Sequence, residues 1–489
     1  MHLGVILRVS SVLLLFFSFT LLVPSAIAFF SDDGTFQGFL LSFLIAFLTG
    51  LALRVITLKE TREIRSRDSF LVIILLWTLL GLFGALPLKL ISLNDYVAEQ
   101  PNLSFVDSVF ESVSGLTTTG ATVIKHLDNL PKSILFYRQQ LQWIGGIGII
   151  VLAVAILPML GMGGMQLYQA EVPGPVKENR LTPRITETAK ALSLVYFGIT
   201  VACAVAYYFA GMDFFDAICH SFSTVAIGGF STHDQSIGYF QNSSVELVAI
   251  FFMFIAGVNF ALHFSGWHNR NIQHYWSDPE FRTYTAIITL AVVISFLCLI
   301  FTSKYDYSES LIRSLFEVVS TATTTGFTIG GYSDWPTFLP FLIFFTAFIG
   351  GCAGSTGGGI KVFRVVLVIK QGFREIQRLI HPNAVFPIKI GRRPVLDKEL
   401  EAVWAFYSVY IFVFIVAFLV LMATGLDVVT AFSAVGACIN NLGPGLGAVV
   451  QHYAEINDFA KAFLSLIMLL GRLEIFPLLV VLNPMFWRR

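Results

Sequence analysis

Four segments of this chain repeat one spacing, and that spacing limits what the chain can fold into. DSVFESVSGLTTTGATV from Asp107, DAICHSFSTVAIGGFST from Asp216, RSLFEVVSTATTTGFTI from Arg313 and TAFSAVGACINNLGPGL from Thr430 each reach a glycine 13 residues later, at Gly120, Gly229, Gly326 and Gly443. A second glycine follows at separations of 26, 28, 25 and 28 residues, at Gly146, Gly257, Gly351 and Gly471. Repetition on this scale means one supersecondary unit used four times.

Apolar runs long enough to cross a bilayer, about 20 residues each, flank the copies. They fall near 4–24, 36–57, 70–90, 136–160, 190–210, 245–264, 284–302, 338–370 (interrupted by a glycine patch), 403–423 and 461–483, so about ten crossings are expected. Composition agrees: 56% of residues are hydrophobic and 13% charged, with mean hydropathy +0.76, against roughly 25% charged in soluble domains. The chain reads as an integral membrane protein. Its first run is taken as a retained helix, although PSAIAFF offers a leader-type cleavage site, because the run is long and only Arg8 precedes it.

Lys+Arg and Asp+Glu both number 31, so net charge gives no hint of a nucleic-acid partner and the local distribution is read instead. Basic residues gather in alternate connections: Lys59, Arg62, Arg65 and Arg67; Lys177, Arg180, Arg184 and Lys190; the 268–282 loop; the 361–398 segment; and the FWRR tail. The 212–243 connection has none. Positive charge stays inside, which puts both termini in the cytoplasm and the repeated segments on the outer side. The five cysteines lie far apart in apolar surroundings and suggest packing, not a zinc or redox site.

Thirteen helical residues span about 20 Å, too short for a hydrocarbon core of about 30 Å. Each repeated segment should therefore dip into the membrane and return. Non-helical backbone at that depth survives only where protein buries it or water lines it, and four dips around one axis satisfy this jointly. A short helix aims its negative C-terminal end inward, and the turn after it can offer carbonyl oxygens. Glycine permits the backbone angles such a turn needs, and the threonines of TTTG can support or replace the carbonyl cage. This chemistry favours a dehydrated cation.

On these repeats the chain resembles the Trk/Ktr/HKT superfamily of potassium transporters and, through the extra pair of helices before the first repeat, its bacterial TrkH/TrkG membrane subunits. The resemblance covers nearly the whole chain. It implies an all-α polytopic membrane protein with four M1–pore loop–M2 repeats around a pseudo-fourfold axis and two additional N-terminal transmembrane helices. The divisions expected are a hairpin at 1–67 and repeats at 68–170, 171–282, 283–398 and 399–489. The resemblance further implies a selectivity filter for potassium at Thr118, Thr119, Gly120, Ala121 and Thr122; Ile227, Gly228, Gly229, Phe230 and Ser231; Thr324, Thr325, Gly326, Phe327 and Thr328; and Asn441, Leu442, Gly443, Pro444 and Gly445. None of these reads TVGYG, which leaves room for weaker discrimination among alkali ions than in true potassium channels. Sodium-preferring members have serine in the first loop, so Gly120 argues for potassium.

The stretch FIGGCAGSTGGGIKVFRV holds Gly350, Gly351, Gly354, Ser355, Thr356, Gly357, Gly358 and Gly359 in mid-crossing. Glycine costs a helix about 1 kcal/mol per residue, so a break from Gly350 to Gly359 is expected. Close helix packing is the other reading of such glycines. The resemblance implies an intramembrane loop that obstructs the pore. Arg472, deep in the last apolar run, costs at least about 2.5 kcal/mol in lipid and should face the axis. By resemblance it stands below the filter as a barrier to cations; a bridge to an acidic residue of a neighbouring repeat is the alternative. Glu474, two positions on, faces elsewhere on the helix.

Other patterns fail on spacing. GSTGGGIK has Ile360 before Lys361, unlike a phosphate-binding loop, and follows no strand. His263, His268 and His274 do not share a helix face. Asp107 and Asp216 are taken as N-caps. No nucleotide site or covalently bound cofactor is visible, so the resemblance places nucleotide control in a cytosolic TrkA-like subunit binding NAD(H) and ATP, docked on a homodimer. The function expected is gated potassium uptake through a channel-like pore in the bacterial cytoplasmic membrane. A proton- or sodium-coupled symporter is the rival, with Glu111, Glu317 and Glu474 as its carboxylates. No nucleophile, base or metal constellation supports an enzyme.

Overall fold

The computed structural model describes residues 3–60, 66–97, 102–151, 181–336, 338–391 and 393–487. The expected boundary at 170/171, and the basic residues Arg62, Arg65, Lys177, Arg180 and the final two arginines, lie outside them.

The described chain is almost wholly helical. Leu3–Thr20 and Leu22–Ser31 form an apolar span that packs against Phe36–Ile56, giving the N-terminal hairpin, which rests on Ser66–Leu90. Each repeat then follows one order: a first helix, a short helix, a turn and a second helix. The first helices are Ser66–Leu90, Leu181–Ala210, Pro279–Phe301 and Asp397–Ala423. Their starts are locally encoded where Asp278 accepts a hydrogen bond from the Phe281 amide and Pro279 occupies the first turn, a donor-free residue where no donor is needed.

The short helices are Phe105–Leu116, Phe214–Ala226, Tyr307–Ala322 and Val428–Ile439, of 12, 13, 16 and 12 residues. At about 1.5 Å per residue none crosses a bilayer. The N-caps of the first two are Ser104 and Asp213, not Asp107 and Asp216. Those two sit in the first turn with other partners: Asp107 accepts from Ser104 N and Lys461, and Asp216 from Thr232 and His233.

Six described helices are long and apolar enough to cross alone: Leu3–Ser31 taken together, Phe36–Ile56, Asp68–Asp95, Glu187–Ala210, Pro279–Phe301 and Asp397–Ala423. The uninterrupted crossings expected at 245–264 and 461–483 are instead bent pairs, Ser243–Ala256 with Phe260–Asn269 at 95° and Asp458–Arg472 with Phe476–Leu482 at 115°. Both bends follow the second glycine of the repeat, Gly257 or Gly471, where the helix meets the underside of the turns. The crossing expected at 338–370 is also split, into Leu339–Ile349 and Val362–Ile380. That expected at 136–160 is a helix from Lys132 to Val151 and then leaves the described residues. Beyond Ile380, Lys389–Ile390 pairs antiparallel with Arg393–Pro394.

The apolar core has two main parts. One joins the hairpin with repeats 1 and 4, the other joins repeats 2 and 3. None of the five cysteines is in a disulfide among the described residues; four are buried and Cys298 is partly so.

Candidate functional site: a ring of four turns and its floor

After each short helix the backbone takes the same path. The residue two before the glycine is left-handed, Thr118 at φ 53°, Ile227 at 55°, Thr324 at 67° and Asn441 at 53°, and the glycine is too, Gly120 at 83°, Gly229 at 78°, Gly326 at 83° and Gly443 at 92°. Identical bonds fix this path: Thr119 N to Ser114 O, Gly228 N to Ser223 O, Thr325 N to Ser320 O and Leu442 N to Ala437 O, all 2.8–2.9 Å. A left-handed residue closing a helix with such a six-to-one bond is a familiar stop signal. Here three β-branched residues and an asparagine occupy it, at a steric cost that the surrounding packing must hold.

The glycines show how the turns face one another. A Cβ on Gly120 would run into Gly228 O, one on Gly229 into Thr325 O, one on Gly326 into Leu442 O, and one on Gly443 into Thr119 O. Each turn thus touches the next, and the fourth returns to the first. Repeats separated by more than 300 residues close a ring around one axis. Asn441 Nδ2 bonds Thr119 Oγ1 at 3.0 Å across the seam between turns four and one, and Gln142 of the first repeat donates to Gly228 O at 2.6 Å and accepts from Phe230 N at 3.1 Å.

Behind the ring, polar side chains brace the backbone. Glu111 accepts from Thr122 Oγ1 and Val123 N at 2.9 Å each; Glu317 accepts from Thr328 Oγ1 at 2.9 Å and Ile329 N at 3.1 Å; His220 Nε2 and Ser231 Oγ lie 2.9 Å apart. In register Glu111, Glu317 and His220 stand four residues after the first residue of each copy, and Thr122, Thr328 and Ser231 fifteen after it. The fourth repeat has Ala434 and Gly445 there, and Ser433 with Leu446 takes over at 2.8 Å while Tyr453 donates to Gly443 O at 2.8 Å. The threonines therefore support the turns: Thr117 with Thr119, and Thr323 with Thr325, pair their hydroxyls at 2.7 Å. Sequence reasoning named Glu111 and Glu317 only as possible proton carriers and missed His220, Gln142 and Arg138. Laying the copies in register exposes the first, and a lone cation in an apolar run signals the last.

Under the ring runs the glycine-rich segment. It is not helical from Gly350 to Lys361, so these glycines do not serve close packing of one continuous helix. Gly350, Gly354 and Gly359 have φ 72°, 72° and 75°. The segment is pressed against the inner ends of three short helices: Thr356 Oγ1 donates to Val225 O at 2.9 Å, Gly358 N to Thr324 Oγ1 at 2.7 Å and Gly359 N to Asn440 O at 3.1 Å. A Cβ on Gly357 would crowd Thr323 O, and one on Gly351 would crowd Ser355 Oγ and Gly257 O. One carboxylate straps both limbs, with Glu280 Oε1 accepting from Ala353 N at 2.7 Å and Phe363 N at 3.2 Å. Arg472, 3% exposed, donates to Thr356 O at 2.9 Å, while its Nε and Nη2 have no bonding partner among the described residues. Among those residues it forms no ion pair. Glu474 turns away to Arg364 at 2.7 Å.

Among the described residues no cluster of histidine, cysteine and acidic side chains has metal-site geometry; His263 instead bonds Tyr275 OH and Ile255 O, both at 2.9 Å.

Four re-entrant turns closing on one axis inside a helical membrane scaffold define a pore-loop cation transport protein. A family model named TrkH, cation transport protein, matches residues 36–489, and the chain belongs to that family. It is similar to the Trk system potassium uptake protein TrkH of Vibrio parahaemolyticus, 52% identical over 99% of both chains, and to TrkH of Escherichia coli K12, 52% identical over 100% of both. TrkG of Escherichia coli K12 is 40% identical over 100% of this chain and 99% of its own. The crystal structure of the potassium transporter TrkH from Vibrio parahaemolyticus superposes with TM-score 0.92 at 49% identity, over the whole of both chains.

Proposed function

We propose that the protein carries potassium into the bacterial cell through this ring, down the electrical gradient across the cytoplasmic membrane, which is worth about 2.3 kcal/mol per charge per 100 mV. The observation that carries the reading is the cyclic contact of Gly120, Gly229, Gly326 and Gly443 with the carbonyls of the neighbouring turns. Thr118–Gly120, Ile227–Gly229, Thr324–Gly326 and Asn441–Gly443 form the filter, and four inward-pointing helix ends lend it negative potential. Gly351, Gly354, Ser355, Thr356, Gly357, Gly358 and Gly359 form the gate, closed against the ring with Arg472 as a positive barrier.

The gate is worked from the cytoplasm. Val362–Ile380 follows directly on the loop and forms the first half of the basic 361–398 segment, a surface suited to a TrkA-like subunit binding NAD(H) and ATP, with the membrane protein acting as a homodimer. Two of the three carboxylates that symport would require are already in ion pairs, Glu111 with Arg138 and Glu474 with Arg364, which favours the channel-like route.

Rubidium and sodium flux into proteoliposomes tests the filter. Gly120→Ser is expected to erode the preference for potassium-sized ions; an unchanged preference removes Gly120 from the filter.

A further inference from the structure

Arg138 lies in the second helix of repeat 1 and is 1% exposed. Its guanidinium has four partners. Nε donates to Glu111 Oε1 at 2.8 Å and Nη2 to Thr122 Oγ1 at 3.2 Å, both in repeat 1; Nη1 donates to Ser231 O at 3.0 Å, and the group lies 4.2 Å from the centre of the Phe230 ring, both in repeat 2. One rigid fork therefore joins the side chains that brace the first turn to the backbone just beyond the second.

Among the described residues no other buried cation bridges the backbone beyond two adjacent turns; Lys461 joins repeat 4 to repeat 1 at 2.7 Å, but at Asp107 in the first turn of the short helix. Counting back eight residues from the second glycine gives Arg138, then Ala249, Ile343 and Phe463. Glu317, the repeat-3 counterpart of Glu111, braces Thr328 and Ile329 with no ion-pair partner among the described residues.

We propose that Arg138 is a positioning residue for ion selectivity: it sets the distance between the first and second turns and keeps that side of the ring from collapsing onto a smaller ion. The inference rests on reading the ring as the filter. A carbonyl cage distinguishes alkali ions by size and by the stiffness with which its oxygens are held. Planar guanidinium with three bonds in fixed directions supplies stiffness that a single-point ammonium does not. The other seams are tied differently, by Asn441 Nδ2 to Thr119 Oγ1 at 3.0 Å between repeats 4 and 1 and by Gly238 N to Thr328 O at 3.1 Å between repeats 2 and 3, so the guanidinium fork adds its stiffness where Gly120 and Gly228 meet.

The experiment measures the potassium-over-sodium permeability ratio, from rubidium and sodium flux, of the full-length protein in proteoliposomes. Arg138→Gln, Arg138→Lys, the double variant Glu111→Gln/Arg138→Gln and the reference Gly120→Ser are compared with wild type after each is shown monodisperse. The double variant leaves no buried charge unpaired and decides the matter where Arg138→Gln fails to fold. Expected is a ratio lowered about tenfold in Arg138→Gln and in the double variant, the effect of one charged hydrogen bond, with rubidium still entering. Arg138→Lys falls between. A folded Arg138→Gln or double variant with the wild-type ratio, while Gly120→Ser lowers it, overturns the role of Arg138 and leaves the filter standing. If Gly120→Ser also leaves the ratio unchanged, the filter reading itself falls.

Discussion

In the ring, four stretches of chain, the first and third closely alike and the other two divergent in sequence, adopt one backbone path; directly beneath it, the second helices take three different courses. The first is helical from Lys132 to Val151, the second and fourth bend, by 95° after Gly257 and by 115° after Gly471, and the third opens into a twelve-residue loop. On the function proposed above, the contrast follows from what each region must do. A cage for a single ion needs matching oxygens from every side, so any departure in one turn is felt by its neighbours. A floor needs only one element that moves, and the other three can specialise in holding it. The same carbonyl-to-glycine contact thus recurs at every seam of the ring, while the contacts of the floor, from Thr356, Gly358, Gly359 and Glu280, each occur once.

Substitutions in the two regions should separate selectivity and conduction from gating. The largest effect belongs to the ring. Gly229→Ala adds both left-handed strain and a clash with Thr325 O, together about 3 kcal/mol or a loss of roughly a hundredfold in rubidium flux. Gly198→Ala, in a helix where an added Cβ meets nothing within 4 Å, should leave flux as it is. Equal flux from the two variants would mean that the ring is not tight. Next comes Arg472→Gln, which removes the buried charge from the floor and should raise flux about tenfold, or about 1.4 kcal/mol of barrier, with the potassium-over-sodium ratio unchanged. A changed ratio would show that floor and ring are not separable. Smaller again is Glu280→Gln, which weakens the strap on both limbs of the loop. A rise in basal flux of about threefold is expected, consistent with partial loss of charge-assisted bonds, and a fall in flux would show that the strap holds the path open.

Much of this comparison was legible in the chain itself. The 13-residue interval located all four turns, because a closed ring demands equal reach from every repeat. Glycines at 350–359 located the break in the third second helix, because no helix tolerates them in that density. The bends after Gly257 and Gly471 escaped notice: Ser243–Asn269 and Asp458–Leu482 are long and apolar enough to read as straight crossings, and what bends them is packing against the turns, a tertiary cause. Capping was displaced by three residues at Asp107 and Asp216, since an acidic residue in the first turn of a helix has nearly the same local signature as a cap. Arg138 was hidden for a different reason. Its partners, Glu111 and Ser231, lie 27 and 93 residues away.

The smallest effect expected lies on the outer side, at the rim behind the second turn. His233, in the outer connection after the second turn, has Asp128 at Nδ1 and Asp216 at Nε2. Burial works against its imidazolium, but hydrogen bonds to the two carboxylates outweigh that and hold His233 above the ordinary histidine value. Such a group contributes stability that is complete below about pH 6.5, the unfolded value, and is lost as pH rises through the higher folded value. The partial exposure limits this to under about 1 kcal/mol. Thermal unfolding in detergent should show the wild type losing its advantage over His233→Gln on going from pH 6 to pH 9; a constant difference would remove the charge from the account.

The central claim is that the four turns surround an ion. Crystals of this protein grown in rubidium, measured at the rubidium absorption edge, test it most directly. Anomalous density on the axis encircled by Gly120, Gly229, Gly326 and Gly443 is the result expected. Rubidium bound elsewhere in the membrane-embedded part, with that axis empty, would contradict it.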